Sequence, residues 1–151
     1  MSTAQPQTAS SAGLHSAEAQ PICVPPDKVG QVWPHVSRMV QRAFDKTDYG
    51  TFGEVAEALF DGRARLWVVW REPEIIAAVV TQIRPTTYSK VCYLCAAGGE
   101  SREEWTHMMA NIEEYARDMG CNKIRATGRK GWTRILPGFR EKLIVFEKDI
   151  A

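Results

Sequence analysis

Apolar residues recur through residues 22–151 in two patterns, one typical of helices and one typical of buried strands. Apolar positions three and four residues apart predict helices over 29–44, 52–59, 101–119 and, in a shorter form, 132–136. Continuous or alternating apolar runs predict strands over 22–24, 65–71, 75–83, 90–97, 122–127 and 143–150. The resulting order, β-α-α-β-β-β-α-β-α-β, indicates an α/β (α+β) domain whose mixed, mostly antiparallel sheet is flanked by helices.

Local signals place the ends of the early helices. Thr51 and Glu54 have the T-x-x-E spacing of a capping box, so a helix should begin at residue 52. Gly62 stands where a left-handed residue commonly ends a helix. Pro34 interrupts the apolar pattern of the first helix, and we expect it in the first turn of that helix.

The first 21 residues differ in composition from the rest of the chain. They are rich in Ala, Ser, Thr and Gln, and they contain a single charged residue, Glu18. Such a segment has too little apolar surface to form a core. We therefore divide the chain into an N-terminal arm, 1–21, which is flexible or becomes ordered on a partner, and a domain, 22–151.

Composition narrows the class of protein. Apolar residues make up 44% of the chain and charged residues 25%, which are ordinary values for one globular domain. The net charge of +1 disfavours a dedicated nucleic-acid binder. We see no apolar run long enough to cross a membrane and no signal-peptide pattern, so we expect a cytoplasmic chain with reduced cysteines.

Four short sequence segments narrow the prediction of the fold further: VWPHV at 32–36, GRARLWV at 62–68, ARDMGC at 116–121 and GRKGW at 128–132. Together with the element order, they resemble small proteins of tailed bacteriophages that have the GNAT acyltransferase fold, some of which are internal virion components. The resemblance covers about residues 22–150. It implies that the strands predicted at 90–97 and 122–127 splay apart, and that acetyl-CoA would lie between them.

The same resemblance implies where a loop that binds the cofactor would lie. The family binds the pyrophosphate of coenzyme A with a Gln/Arg-x-x-Gly-x-Gly/Ala loop at a helix N-terminus, and that spacing is absent from residues 96–104. Ser101 and Glu104 form a second capping box that would occupy the same N–H groups. We therefore expect no cofactor. If acetyl-CoA binds nonetheless, the residues implied are Leu94, Cys95, Ala96, Gly98, Gly99 and Arg102.

Catalytic groups are also missing from their usual places. A family member uses a general base, often a Glu on the central strands, yet 75–83 and 90–97 contain neither carboxylate nor His. It commonly uses a late Tyr as the acid, yet no Tyr follows Tyr115, and Cys121 is the remaining substitute. We therefore assign no catalytic residue.

Two further groups of residues are candidates for binding. Cys92 and Cys95 have C-x-x-C spacing, but residues three apart on a strand face opposite ways, so we predict no metal site.

A basic and aromatic cluster near the C-terminus is either a surface that binds partner proteins or a solvated loop over a buried tryptophan. Its members are Arg129, Lys130, Trp132 and Arg134.

These observations lead to one main hypothesis and two alternatives. The main one is a catalytically inactive bacteriophage protein with a structural or assembly role. It would be made in the host cytoplasm, present in several copies in the virion, and bound to other virion proteins through residues 1–21. The first alternative is an acetyl-CoA-dependent N-acetyltransferase that modifies a host or phage amine. The second is an adaptor or inhibitor directed at the host.

Overall fold

The computed structural model describes residues 20–45, 50–99, 102–128 and 130–150, with the backbone alone at 102–106 and 130. Five strands are present: β1 (Gln20–Val24), β2 (Arg65–Arg71), β3 (Glu74–Pro85), β4 (Lys90–Gly99) and β5 (Lys123–Ala126). Three α-helices accompany them: α1 (Val29–Arg42), α2 (Phe52–Phe60) and α3 (Arg102–Asp118). Two short 3-10 helices lie at Pro26–Lys28 and Lys130–Arg134, the second at the predicted helix 132–136. The predicted arm, apart from residues 20 and 21, lies outside the described residues.

The strands form one sheet in the order β1-β2-β3-β4-β5. Neighbours are antiparallel except β4 and β5, which are parallel because α3 crosses over between them. The predicted fold class, a mixed and mostly antiparallel sheet flanked by helices, is confirmed.

Two cores cover the two faces of the sheet. On one face, α3 packs through Met108 and Ile112 onto residues such as Val79 and Cys92. On the other face, α1 and α2 pack through Val36 and Leu59. We call these the α3 face and the α1/α2 face. Because both faces of β3 and β4 are covered, the sequences of these strands are nearly continuous runs of apolar residues.

The local signals are partly confirmed. Thr51 Oγ1 accepts from the Glu54 N–H at 3.1 Å, and a Glu54 carboxylate oxygen accepts from the Thr51 N–H at 3.2 Å, so the first capping box forms. Gly62 has a φ of +78°, as a left-handed helix end requires. The expectation for Pro34 is wrong, because α1 begins at Val29 and Pro34 lies inside it. Burial of Val29 on the same helix face as Val36 and Val40 explains why the helix extends through the proline.

The predicted strand at 143–150 is wrong for the isolated chain. Residues 139–150 have no regular secondary structure. Five large apolar side chains in this segment are 55–91% exposed: Leu143, Ile144, Val145, Phe146 and Ile150. The sequence has a strand pattern there, but within the described ranges no neighbouring strand pairs with it.

In the described part of the chain, none of the helices combines the length and apolar character that crossing a bilayer requires.

Candidate functional site

The main opening in the sheet lies between β4 and β5. The two strands pair in parallel at only four positions, from Val91 with Lys123 to Leu94 with Ala126. Beyond Leu94, β4 continues for five residues to Gly99 and pairs only with β3. On the β5 side, residues 95–99 therefore have no strand partner among the described residues. Alternate N–H and C=O groups along this edge can bind an extended ligand.

A β-bulge lies where β4 leaves β5. Val80 of β3 faces Ala96, but the next residue, Thr81, faces Leu94, so Cys95 is the extra residue on β4. A bulge bends its strand and redirects side chains, and bulges are common beside active sites. The bulge at Cys95 therefore coincides with the start of the opening.

Polar side chains gather on the α1/α2 face beside the bulge. The Arg84 guanidinium lies 4.1 Å from the centre of the Tyr93 ring, and its Nη2 lies 3.9 Å from Cys95 Sγ. Arg84 Nε also donates to Gln82 Oε1 at 3.2 Å. The Tyr93 hydroxyl forms a hydrogen bond with the Thr127 hydroxyl, directly after the end of β5. We call Gln82, Arg84, Tyr93, Cys95 and Thr127 the polar cluster.

The charge in the polar cluster is positive. Arg125 stands opposite Tyr93 in the β4/β5 register, so its side chain leaves the sheet on the same face as Tyr93 and Arg84. Burial raises the pKa of the Cys95 thiol, while the charge of Arg84 and its hydrogen bond oppose that rise. Cys95 is therefore a protonated thiol at neutral pH and a poor nucleophile.

Cys92 lies on the opposite face from Cys95, as predicted from their spacing. It is fully buried in the α3-face core, whereas Cys95 packs on the α1/α2 side. Burial is the main cause that raises the pKa of Cys92 to about 11. The two thiols cannot act as a pair.

Both glycines predicted to approach a cofactor are required by packing within the protein. A Cβ at Gly98 would lie 2.7 Å from the carbonyl oxygen of Met39 in α1. A Cβ at Gly99 would lie 2.7 Å from Ala77 in β3, and its φ of +146° also favours glycine. These contacts explain both glycines without a ligand, and they fix the end of β4 against its neighbours.

Of the remaining predicted cofactor residues, Leu94 and Ala96 can contribute only backbone to a ligand, because their side chains are buried. The Leu94 side chain is buried on the α3 face and that of Ala96 on the α1/α2 face. Arg102 is the first residue of α3, but its side chain lies outside the described residues, as does the capping box of Ser101 and Glu104.

The structure describes only part of the predicted partner-binding cluster at residues 129–134. Trp132 is half-buried against the α3-face core, and its ring lies 3.0 Å from where a Cβ would stand at Gly128. Trp132 thus fits the alternative of a tryptophan beneath a loop. Arg134 is exposed, whereas Arg129 and the Lys130 side chain lie outside the described residues.

Tyr93 is the functional candidate that sequence reasoning missed. A tyrosine acid was expected only late in the chain, where none follows Tyr115, and the Tyr115 ring centre lies 5.3 Å from that of Trp67 in the core. Tyr93 and Thr127 are 34 residues apart and meet only through the β4/β5 pairing. Cys121, the other candidate acid, is buried in the α3-face core.

Comparison with solved structures places this opening in a known fold. An aminoglycoside acetyltransferase from an uncultured soil metagenomic sample, in complex with sisomicin, superposes with a TM-score of 0.63 at 9% identity, covering 88% of this chain and 97% of that chain. The chain has the fold of the GNAT acetyltransferases. A GNAT family acetyltransferase from Staphylococcus aureus gives a TM-score of 0.61 at 12% identity, covering 87% and 98% of the two chains.

A further neighbour with the GNAT fold was determined with a ligand. The aminoglycoside N-acetyltransferase AAC(6')-Iy, in complex with CoA, gives a TM-score of 0.65 at 12% identity, covering 89% of this chain and 96% of that chain. At these identities the likeness establishes the fold alone. No protein-family profile and no curated protein matches the sequence.

The packing at Gly98 can be tested by adding a single methyl group. We expect Gly98→Ala to lower the free energy of unfolding by about 1–3 kcal/mol, because the new Cβ meets the Met39 carbonyl. Gly131→Ala is the control, since no atom lies within 4 Å of the added Cβ, and it should change stability by less than about 0.5 kcal/mol. Both are measured by chemical denaturation without ligand. If Gly98→Ala were as stable as the wild type, the packing explanation for this glycine would be wrong.

Proposed function

We propose that this protein is an acetyl-CoA-dependent N-acetyltransferase whose thioester-binding site is the opening between β4 and β5. The observation that carries the proposal is the end of the parallel pairing at Leu94 and Ala126, while β4 continues to Gly99. The GNAT fold and the CoA complex of a structural neighbour support the same choice.

The opening suits the chemistry of coenzyme A. Its pantetheine arm is extended and contains amides, so it can hydrogen-bond to the free edge of residues 95–99 as an added strand would. The N-terminus of α3 follows β4 after two residues, and its backbone N–H groups favour the anionic pyrophosphate. These main-chain groups would supply the binding in place of the family's usual loop once the pyrophosphate displaces the capping box that the sequence predicts at Ser101 and Glu104.

Tyr93 is the proposed general acid. Acetyl transfer forms a C–N bond, breaks the C–S bond of the thioester and moves one proton from the amine to the departing sulfur. The Tyr93 hydroxyl lies where β4 and β5 separate, so it can donate this proton. Thr127, its hydrogen-bond partner, can accept the proton that the attacking nitrogen loses from the tetrahedral intermediate and pass its own hydroxyl proton to Tyr93.

Among the described residues, no carboxylate lies in the opening to act as a base. Glu74, the first residue of β3, is the single carboxylate on β3 and β4, and it is exposed at the start of that strand. Without such a base, the acceptor amine loses its proton to solvent before it attacks. This arrangement favours an acceptor whose amine is partly neutral at the working pH.

The charge of Arg84 in the polar cluster and that of Arg125 beside it indicate the class of acceptor. Arg84 and Arg125 lie on the face that an acceptor would approach, so they repel a polycation. They favour an amine that also carries a carboxylate or phosphate, which Arg can bind through paired hydrogen bonds. The aminoglycosides acetylated by several structural neighbours do not fit this requirement.

The bacteriophage origin, the virion location and the contacts of residues 1–21 remain predictions. The compared structures are acetyltransferases, and they give no support to a virion role. Mass spectrometry of purified particles tests that role directly, and absence of the protein from washed particles would exclude it.

Acetyl-CoA binding can be tested by filling the opening from β5. Ala126 is exposed at the point where the strands separate, so Ala126→Trp should weaken acetyl-CoA binding by at least about tenfold without disturbing the core. Lys123→Trp is the control, because Lys123 is also exposed but lies at the paired end of β5 and on the other face of the sheet. Titration calorimetry measures both. Equal affinity in the two variants, or no binding by the wild type, would contradict the proposal.

The role of Tyr93 can be separated from binding. Tyr93→Phe should lower kcat by about a hundredfold or more, because it removes the proton donor, while the affinity for acetyl-CoA stays unchanged. Tyr88→Phe is the control, since Tyr88 is 96% exposed on the turn between β3 and β4. Release of free CoA thiol is followed with anionic and cationic amines as acceptors. Full activity of Tyr93→Phe would remove Tyr93 from the mechanism.

A further inference from the structure

One corner of the α1/α2 face is open to solvent and carries several positive charges. It lies where the end of β3 and the starts of β4 and β5 run side by side. Arg84, Lys123 and Arg125 are exposed there, and Tyr93 between them is half-buried. We call Arg84, Lys123 and Arg125 the basic corner.

The strand register brings the basic corner to one face of the sheet. Val91 of β4 pairs with Arg84 on one side and with Lys123 on the other, and Tyr93 pairs with Arg125. Side chains two residues apart on a strand share a face, so all of these residues point to the same side. Neighbouring strands are about 4.8 Å apart, and same-face residues of one strand are about 7 Å apart. The long basic side chains can therefore reach one small ligand.

Arg84 is held in position before any ligand binds. Its guanidinium lies 4.1 Å from the centre of the Tyr93 ring, and its Nε donates to Gln82 Oε1 at 3.2 Å. Its Nη2 lies 3.9 Å from Cys95 Sγ. A guanidinium has more N–H donors than these contacts use, so others remain for an anion. Because Arg84 is already ordered, binding costs less conformational entropy.

The charge of the basic corner is not neutralised within the described part of the chain. No described carboxylate forms an ion pair with the basic corner, whereas Asp61 pairs with Arg63 and Glu113 pairs with Arg117. Like charges that are held close together on one face repel each other. An anion bound between them would remove this repulsion.

A phosphomonoester suits the basic corner better than a carboxylate does. It carries a charge of about −1.5 to −2 at neutral pH and three strong acceptor oxygens. Arg binds phosphate oxygens through paired hydrogen bonds, and Lys binds phosphate as a point charge. A carboxylate has a single charge and two oxygens, so it would leave more of the repulsion in place.

We propose that the basic corner is a binding site for a phosphomonoester, whose charge Arg84, Lys123 and Arg125 share. The inference deepens the proposed function and rests on it for one point, which is that the phosphomonoester belongs to the acceptor amine. Tyr93, the proposed acid, lies between the three basic residues. A short linker between phosphate and amine would therefore bring the acceptor nitrogen close to Tyr93.

The phosphates of coenzyme A belong to a different place in the proposed function. They would bind at the N-terminus of α3, which follows the end of β4, whereas the basic corner lies beside the start of β4. Residues 91–99 separate the two places by roughly 25 Å of extended strand. Both sites can therefore be filled at the same time.

Binding is tested without acetyl-CoA, by following the backbone amide shifts of the ¹⁵N-labelled full chain by NMR. Methyl phosphate is the probe, and methyl sulfate is its match, because it has the same shape but a single negative charge. Methyl phosphate should bind at least about tenfold more tightly at pH 7.5, with shifts centred on Tyr93 and Arg125. No binding, equal affinities, or shifts centred elsewhere would overturn the proposal.

Charge variants test which residues bind the phosphate. Lys123→Gln and Arg125→Gln each remove one charge from an exposed side chain, so the fold should not change. Each should weaken methyl phosphate binding about three- to tenfold. Lys28→Gln is the control, because Lys28 is exposed just after β1, at the opposite edge of the sheet from β5, and it should bind as the wild type does. Wild-type affinity in both corner variants would contradict the assignment.

Kinetics test whether the phosphomonoester belongs to the acceptor. The ratio of kcat/KM for O-phosphoethanolamine to that for 2-aminoethyl sulfate should fall about threefold or more in Arg125→Gln, because the variant loses a charge that favours the dianion. An unchanged ratio would overturn the acceptor role, as would displacement of methyl phosphate by acetyl-CoA. Methyl phosphate binding without acetylation of any amine would support the phosphate site and contradict the proposed function alone.

Discussion

The asymmetric pairing of β4 is the constraint on which the rest of the structure depends. β3 pairs with β4 along its whole length, but β5 accompanies only residues 91–94. The second half of β4 stays in place because Gly98 and Gly99 pack closely on Met39 and Ala77. Without these contacts, an edge with unpaired backbone groups would close or fray. The fold thus holds open an unpaired strand edge that a fully paired sheet would not have.

The apolar pattern was sufficient to predict most of the fold. Helical spacing and buried runs identify three helices and five strands, because each has a face or a length that only burial explains. The position predicted for Pro34 was wrong, since burial of one face of α1 outweighs the preference of proline for the first turn of a helix. The strand predicted at 143–150 has the right composition, but composition does not reveal whether a neighbouring strand is available to pair with it.

The candidate site could be predicted only in part. The resemblance placed the opening correctly between the fourth and fifth strands, yet the residues around it depend on register. Arg84, Tyr93 and Thr127 lie on three different strands or strand ends. A shift of one residue in the pairing register would turn a strand's side chains to the other face of the sheet. The bulge at Cys95 is such a shift. Gly98 and Gly99 suggested a ligand because sequence shows a glycine but not the atoms that surround it.

Fold alone does not decide between an enzyme and an inactive relative, so the free edge of β4 has to be tested for its ligand. The most direct measurement is amide hydrogen exchange of the wild type with and without acetyl-CoA. The account predicts slower exchange at alternate amides within residues 95–99 and no change in β1, at the far edge of the sheet. Unchanged exchange throughout β4 at saturating acetyl-CoA would contradict it.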